Sequence, residues 1–241
     1  WTLHGLRALD GKNEKVTAVA FSALKHPSGG VRRNAVQVLP RGDRAVKALL
    51  DSGVLADEDG QVKLMALLAL AEQPPSREAG QALAGFLGDE NNLRDRWLVD
   101  AVISAAAGHD LPFLEAVIAE GKRVADRSEA LRVVRIVAEH HARGGPVDSI
   151  SKLLTALGNP PPAVSEVIVV GLEKGWPRNR TARLTAEEET KMASLLPRLS
   201  VSARGQLIHL AERLGSQSLQ KHSATIAQSL LAQVRDDKQS D

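Results

Sequence analysis

The chain has 241 residues, 43% of them hydrophobic, 25% charged and 2% aromatic, which is enough apolar side chain for a packed core and too much for bulk disorder. Cysteine is absent; that excludes a disulfide framework, thiolate zinc sites, a cysteine nucleophile and thioether-attached haem within this sequence. With 31 Lys and Arg against 29 Asp and Glu, the net charge of +2 gives no strong pull toward nucleic acid or an anionic membrane.

The sequence opens at Trp1 without an initiator Met, inside an apolar-periodic segment (Trp1, Leu3, Leu6, Leu9), and reads as half a helix pair in a piece of a longer protein. A helix is predicted over 14–25. The breakers His26-Pro27-Ser28-Gly29-Gly30 follow, and then Val31, Ala35, Val36, Val38 and Leu39 at helical spacing. A helix at 43–51 leads through an acidic connection at 52–60 to a second stripe, Val62, Leu64, Met65, Leu67, Leu68 and Leu70. After Gln73-Pro74-Pro75-Ser76 come a helix at 77–87 and a third stripe of Leu93, Trp97, Leu98, Ala101 and Val102, which makes Trp97 a core residue. The pattern continues with helices at 111–120, 147–157, 186–196 and 219–234. These alternate with stripes at Ala130–Val137, Val164–Leu172 and Leu207–Leu214, and Gly144-Gly145-Pro146 and Asn159-Pro160-Pro161-Pro162 fall at the joins. Ser76, Asp110, Asp148, Thr185 and Ser218 are candidate N-caps, and Thr185 with Glu188 is a candidate capping box. A basic stretch at 173–185 breaks the rhythm, and the polar tail 235–241 reads as a linker.

The stripes recur about every 30 residues, and no strand-like alternation persists, so the chain is predicted to be all-α. The expected architecture is a right-handed α-α superhelix, a solenoid of about seven antiparallel helix pairs, forming a single domain over 1–241. No apolar run approaches the roughly 20 residues needed to span a bilayer.

The run Pro27, Val31, Arg32, Ala35, Val36, Val38 and Leu39 resembles a HEAT repeat, with looser copies at Gln61-Val62-Lys63-Leu64-Met65-Ala66 and Asn92-Leu93-Arg94-Asp95-Arg96-Trp97. More narrowly, three stretches look like the HEAT region of large planctomycete and verrucomicrobial membrane-bound dehydrogenase-like proteins. They are Trp1-Thr2-Leu3-His4-Gly5-Leu6, the segment from Asp95 through Trp97 to Val102, and the segment from Gly171 to Pro177. In that family a sugar-dehydrogenase-like β-propeller precedes the repeats and a c-type cytochrome domain follows. The resemblance implies a periplasmic or extracytoplasmic location and a redox parent. Neither the propeller nor a Cys-x-x-Cys-His motif occurs in this sequence, so any redox chemistry would belong to the parent.

The residues themselves point away from catalysis in this segment. No His-x-x-x-His or His-Glu-x-x-His spacing joins the seven histidines, and adjacent His140 and His141 project about 100° apart on a helix. No serine sits in a Gly-x-Ser-x-Gly context, and the Gly pairs lack a P-loop pattern. No cofactor and no metal is therefore expected here. The candidate interaction surface is Arg32, Arg33, Arg94, Arg96, Arg132 and Arg135 on the second helices, with Trp176, Arg178 and Arg180 in the basic break. For the six helical arginines a ladder of ion pairs with Asp95, Asp100 and Glu139 is the favoured reading over a phosphate groove. Trp176 either anchors the loop or makes an interdomain contact. The expected function is a non-catalytic scaffold that holds adjacent domains or a protein partner. The alternatives are a DNA-binding HEAT protein of the alkylpurine-glycosylase type, which the weak charge and few aromatic rings disfavour, and a bilin-lyase-like HEAT enzyme.

Overall fold

The computed structural model describes residues 13–216 and Leu219. The opening half-pair with His4, the N-cap at Ser218, nearly all of the helix expected over 219–234, and the tail lie outside the described residues. Those residues are all-α. They hold thirteen α-helices and no strand: α1 Glu14–Ala23, α2 Gly29–Gln37, α3 Asp43–Ser52, α4 Gly60–Ala71, α5 Arg77–Phe86, α6 Glu90–Arg94, α7 Arg96–Gly108, α8 Asp110–Ala119, α9 Ser128–Arg143, α10 Val147–Ala156, α11 Pro162–Gly175, α12 Ala186–Ala193 and α13 Val201–Leu214. The chain divides into two compact units, one ending at Ala116 and the other beginning at Val117.

Side-chain caps set many of the boundaries. Asn13, Asp59, Ser76, Asp95 and Ser200 each accept a hydrogen bond from a backbone N–H in the first turn that follows. Thr185 and Glu188 form a complete capping box at α12. Two expected caps fall elsewhere. Asp110 is the first residue of α8, and Asp148 lies in the first turn of α10 with Pro146 at the cap position.

In the first unit α2, α4 and α7 pack in succession, and α3 packs on α5. Each helix offers an apolar stripe that it cannot bury alone. Ala35 and Val36, then Val62, Ala66, Leu67 and Leu70, then Leu98, Val102 and Ala105 are withdrawn from water by the next helix, at roughly 25 cal/mol per Å². Buried polar side chains tie the turns. His109 lies between α7 and α8; its Nε2–H donates to the Leu70 carbonyl at the end of α4 (3.0 Å), and its Nδ1 accepts from the Ser76 N–H before α5 (3.0 Å). This bonding requires a neutral ring, and burial pushes the imidazole pKa down despite the Leu70 carbonyl. Gln73 accepts from Gly42 N–H at 2.9 Å, and Asn92 accepts from Lys63 Nζ at 2.8 Å.

The second unit is built on α9, α11 and α13, with α10 against α12. The α9–α11 contact brings backbone against backbone. A Cβ at Gly171 would strike the Arg135 carbonyl and stand 2.8 Å from Ala138 Cβ; one at Gly175 would strike the Glu139 carbonyl and stand 2.9 Å from Ala142 Cβ. Small residues four apart on each helix permit this approach.

Gly175→Ala is expected to destabilise the second unit by about 1–3 kcal/mol, because the neighbouring backbone cannot yield. Gly205→Ala, on α13 with open space where its Cβ would go, is expected to stabilise by about 0.5–1 kcal/mol through helix propensity. Urea denaturation of both variants checks the opposite signs. His109 yields a pH dependence. Its folded pKa lies below the unfolded value near 6.5, so its contribution to stability is complete above that pH and is lost as pH falls toward the folded pKa. A His109→Leu variant is expected to be less stable at pH 8 and to show a flatter fall in urea midpoint between pH 7 and 5.

Candidate functional site

Counting from the N-caps Ser28, Asp59 and Asp95 aligns the three packed helices of the first unit. At spacing i, i+3, i+7 this places Gly30, Arg33 and Gln37 on one face of α2, Gln61, Leu64 and Leu68 on the same face of α4, and Trp97, Asp100 and Ser104 on that of α7. Most of these residues are exposed. Leu68 is 41% and Trp97 66% exposed, and both are large apolar side chains turned to water. The Arg96 guanidinium stands 5.5 Å from the centre of the Trp97 ring, within cation–π range, and reaches Asp100 at 3.7 Å.

Trp97 is thus not a core residue as its place in the third stripe predicted. The stripe is interrupted: Leu93 belongs to the short α6, and Asp95 leaves the helix to cap α7 through the N–H groups of Trp97 (2.8 Å) and Leu98. The helical phase restarts at Arg96. The buried stripe of α7 runs through Leu98, Val99, Ala101, Val102, Ala105 and Ala106, and Trp97, in the first turn, lies at its edge and in solvent.

The other arginines divide between ties and free surface. Arg32 is a tie. Its guanidinium grips Asp57 at 2.6 and 2.7 Å across a sequence gap of 25 and donates to the carbonyls of His26 and Pro27; its side chain is only 14% exposed. The same guanidinium holds the Asp57 carboxyl below the usual carboxylate range, against the opposing effect of burial. Arg33 is exposed on the shared face. Arg94 pairs with Glu90 at 2.8 Å on α6, and Arg132 with Glu129 at 2.5 Å on α9, both within one helix turn; Arg135 is half-buried on α9. Two of the acids expected in a ladder do pair. Asp100 meets Arg96, and Glu139, nearly buried, is clamped by Arg143 at 2.5 Å and Lys174 at 3.0 Å. Burial pushes the Glu139 carboxyl up, but the two cations outweigh it and hold its pKa low. Asp95 is occupied as a cap instead.

Trp176 is 2% exposed and no contact surface. It anchors the segment between α11 and α12, its indole N–H donating to the Arg180 carbonyl at 2.7 Å. Arg178, Arg180 and Arg183 on that segment are exposed.

Grooves are shallow. One of about 270 Å³ runs between α2 and α4, lined by Leu39, Met65 and Leu68 with Arg41 and Glu72 at its rim. Another of about 600 Å³ lies between α3 and the start of α5, lined mainly by Asp43, Lys47, Leu50 and Arg77. Among the described residues no group of three His, Cys, Asp or Glu side chains is placed to hold a metal ion, and no single helix is long and apolar enough to cross a membrane. Sequence reasoning missed Leu68 as a surface residue. The available signal was its position seven residues beyond Gln61, off the phase of Val62, Ala66 and Leu70.

No family model matches the chain, and the searches of curated proteins and of solved structures gave no match either.

Arg32→Met is expected to lower the melting temperature by leaving the Asp57 carboxylate without its partner. The double variant Arg32→Met/Asp57→Asn is expected to regain part of that loss. Asp57 contributes stability above the unfolded carboxylate pKa, and that contribution fades as pH falls through the lower folded value. The gap between wild type and Arg32→Met should therefore narrow between pH 5 and pH 3, as thermal melts at each pH would record.

Proposed function

We propose that this chain is a non-catalytic docking module, a HEAT-like helical-repeat scaffold that positions neighbouring domains or a protein partner. The observation that carries the reading is Trp97. A tryptophan two-thirds exposed on a regular helix, stacked by Arg96 and sharing a face with Leu68, leaves apolar area in water that a partner would cover. Tryptophan and arginine are also the side chains most often found to dominate protein–protein contacts. The fate of the arginines supports it further. Arg32, Arg94 and Arg132 are engaged by carboxylates of this chain, so they do not form the unpaired basic track that a phosphate backbone needs. The resemblance to the repeat region of dehydrogenase-like proteins suggests one setting, a redox parent in the periplasm whose propeller and haem domains the module would hold.

The test is tryptophan emission and hydrogen exchange on the chain within its full-length gene product, compared with residues 1–241 alone. Docking on the α4–α7 face predicts slower exchange at the first turn of α7 in the longer protein, and a blue shift of emission that Trp97→Ser removes without changing the melting temperature. Equal exchange and equal emission in the two contexts would rule this face out as the junction. Steeply salt-dependent binding of duplex DNA would favour the alkylpurine-glycosylase-like reading instead.

A further inference from the structure

The segment 177–185 between α11 and α12 has no regular helix, yet it is pinned at several points. Trp176 is buried and its N–H holds the Arg180 carbonyl. The Arg180 N–H donates to the Pro177 carbonyl at 3.3 Å, and the Ala182 N–H to the Leu214 carbonyl at 3.0 Å. Arg213 of α13 donates to the Glu173 and Trp176 carbonyls at 2.5 and 3.3 Å. The Arg180 side chain lies over Gly145, which has φ of 59° and no Cβ to obstruct it. The result is a strap whose backbone is ordered before anything binds.

Its outward side chains are basic. Arg178, Arg180 and Arg183 are exposed, and among the described residues none of them is in an ion pair. Two more cations stand on the helices at its start: Arg143, two residues before Gly145, and Lys174, two before Trp176, with side chains 65% and 59% exposed. Several of the acids nearby are already engaged, while Asp148 on α10 and Glu212 on α13 are in no ion pair among the described residues. Glu139 lies beneath Arg143 and Lys174, Glu173 pairs with Arg213 at 3.2 Å, Glu187 pairs with Lys191 at 2.7 Å, and Glu188 accepts from the Thr185 N–H in the capping box. Of that run only Glu189 has neither an ion pair nor a cap bond among the described residues.

We propose that this strap, through Arg178, Arg180 and Arg183, binds a carboxylate-rich segment of a partner protein. Three arginines within six residues present planar forks that match carboxylates two at a time, and the ordering cost of the strap is largely met by its own anchors. The footprint suits a short acidic peptide better than a nucleic acid. The strap has no aromatic ring of its own and Trp176, which precedes it, is buried and offers no base a stacking surface, and Glu187–Glu189 follow the arginines where a phosphate backbone would have to continue. The inference rests on the reading of the chain as a docking module but places the contact in the second unit, away from Trp97.

The experiment is fluorescence anisotropy of a labelled (Glu-Ser)6 peptide titrated with the whole chain in low salt. A (Gln-Ser)6 peptide and a single-stranded DNA of equal charge run alongside. The acidic peptide is expected to bind and the Gln peptide not to. The triple variant Arg178→Glu/Arg180→Glu/Arg183→Glu should weaken binding by about tenfold or more; the double variant Arg178→Glu/Arg183→Glu, which leaves Arg180 on Gly145 and changes only side chains in solvent, should also weaken it, with helix content and melting temperature unchanged. Arg-to-Gln replacement at the same positions should give an intermediate loss. Trp97→Ser should leave the titration unaltered, so a failure of the α7 face to dock anything does not touch this result. Equal binding of both peptides, undiminished affinity in the triple variant, or tighter binding of the DNA than of the acidic peptide would each overturn the proposal.

Discussion

Helices of this length cannot hide an apolar stripe by themselves, and everything else in the molecule follows from how each finds cover on its sequence neighbour. The closest instance is α9 against α11. Gly171 and Gly175 on one helix meet Ala138 and Ala142 on the other, so the axes draw in until backbones touch and dispersion contacts that a larger residue would hold apart are made. The α4–α7 contact uses Leu, Val and Ala to the same end with ordinary side-chain interdigitation. Packing of this kind is local in sequence, which lets the two compact units each have a core of their own.

Apolar stacking sets the distance between helices but not their register along the contact. That part falls to polar side chains which cross from one turn to the next. Arg32 reaches Asp57, Lys63 reaches Asn92, Gln73 reaches Gly42, and His109 joins the ends of α4, α5 and α7. Among the described residues no buried side-chain nitrogen or oxygen lacks a partner, so a slip in register would strand several of these groups at once, each at a cost of about 1–3 kcal/mol.

These internal demands sort the charged and aromatic residues into two kinds. Those that satisfy the fold are withdrawn from any other use: Arg32, Glu139, Arg213 and Trp176 all have their polar atoms committed. What the fold does not need is left outside. Trp97 and Leu68 on the first unit, and Arg178 and Arg183 of the strap on the second, serve no contact that the helices require. Surplus apolar area and unpaired charge in a protein that otherwise satisfies its groups so fully are the physical grounds for reading it as a module that meets other molecules.

The helical period, the Pro and Gly breakers and the cap residues were legible in the sequence because they act within one or two turns of chain. On them rest the all-α class, the alternation of helices and joins, the capping box at Thr185 and the basic break before α12. The roles of individual residues were not legible. Trp97 looked like core, yet Leu98, Ala101 and Val102 of the same stripe are buried while Trp97, in the first turn after the Asp95 cap, is left in solvent. Trp176 left two readings open that only its hydrogen bond to Arg180 and its burial under the strap could separate. The six helical arginines looked equivalent, yet Arg32 faces a carboxylate 25 residues away while Arg33, its neighbour in sequence, points to solvent. Local patterns reflect the free energy of the segment itself, whereas whether a side chain is tie or surface depends on which distant backbone arrives beside it, and only the tertiary packing supplies that.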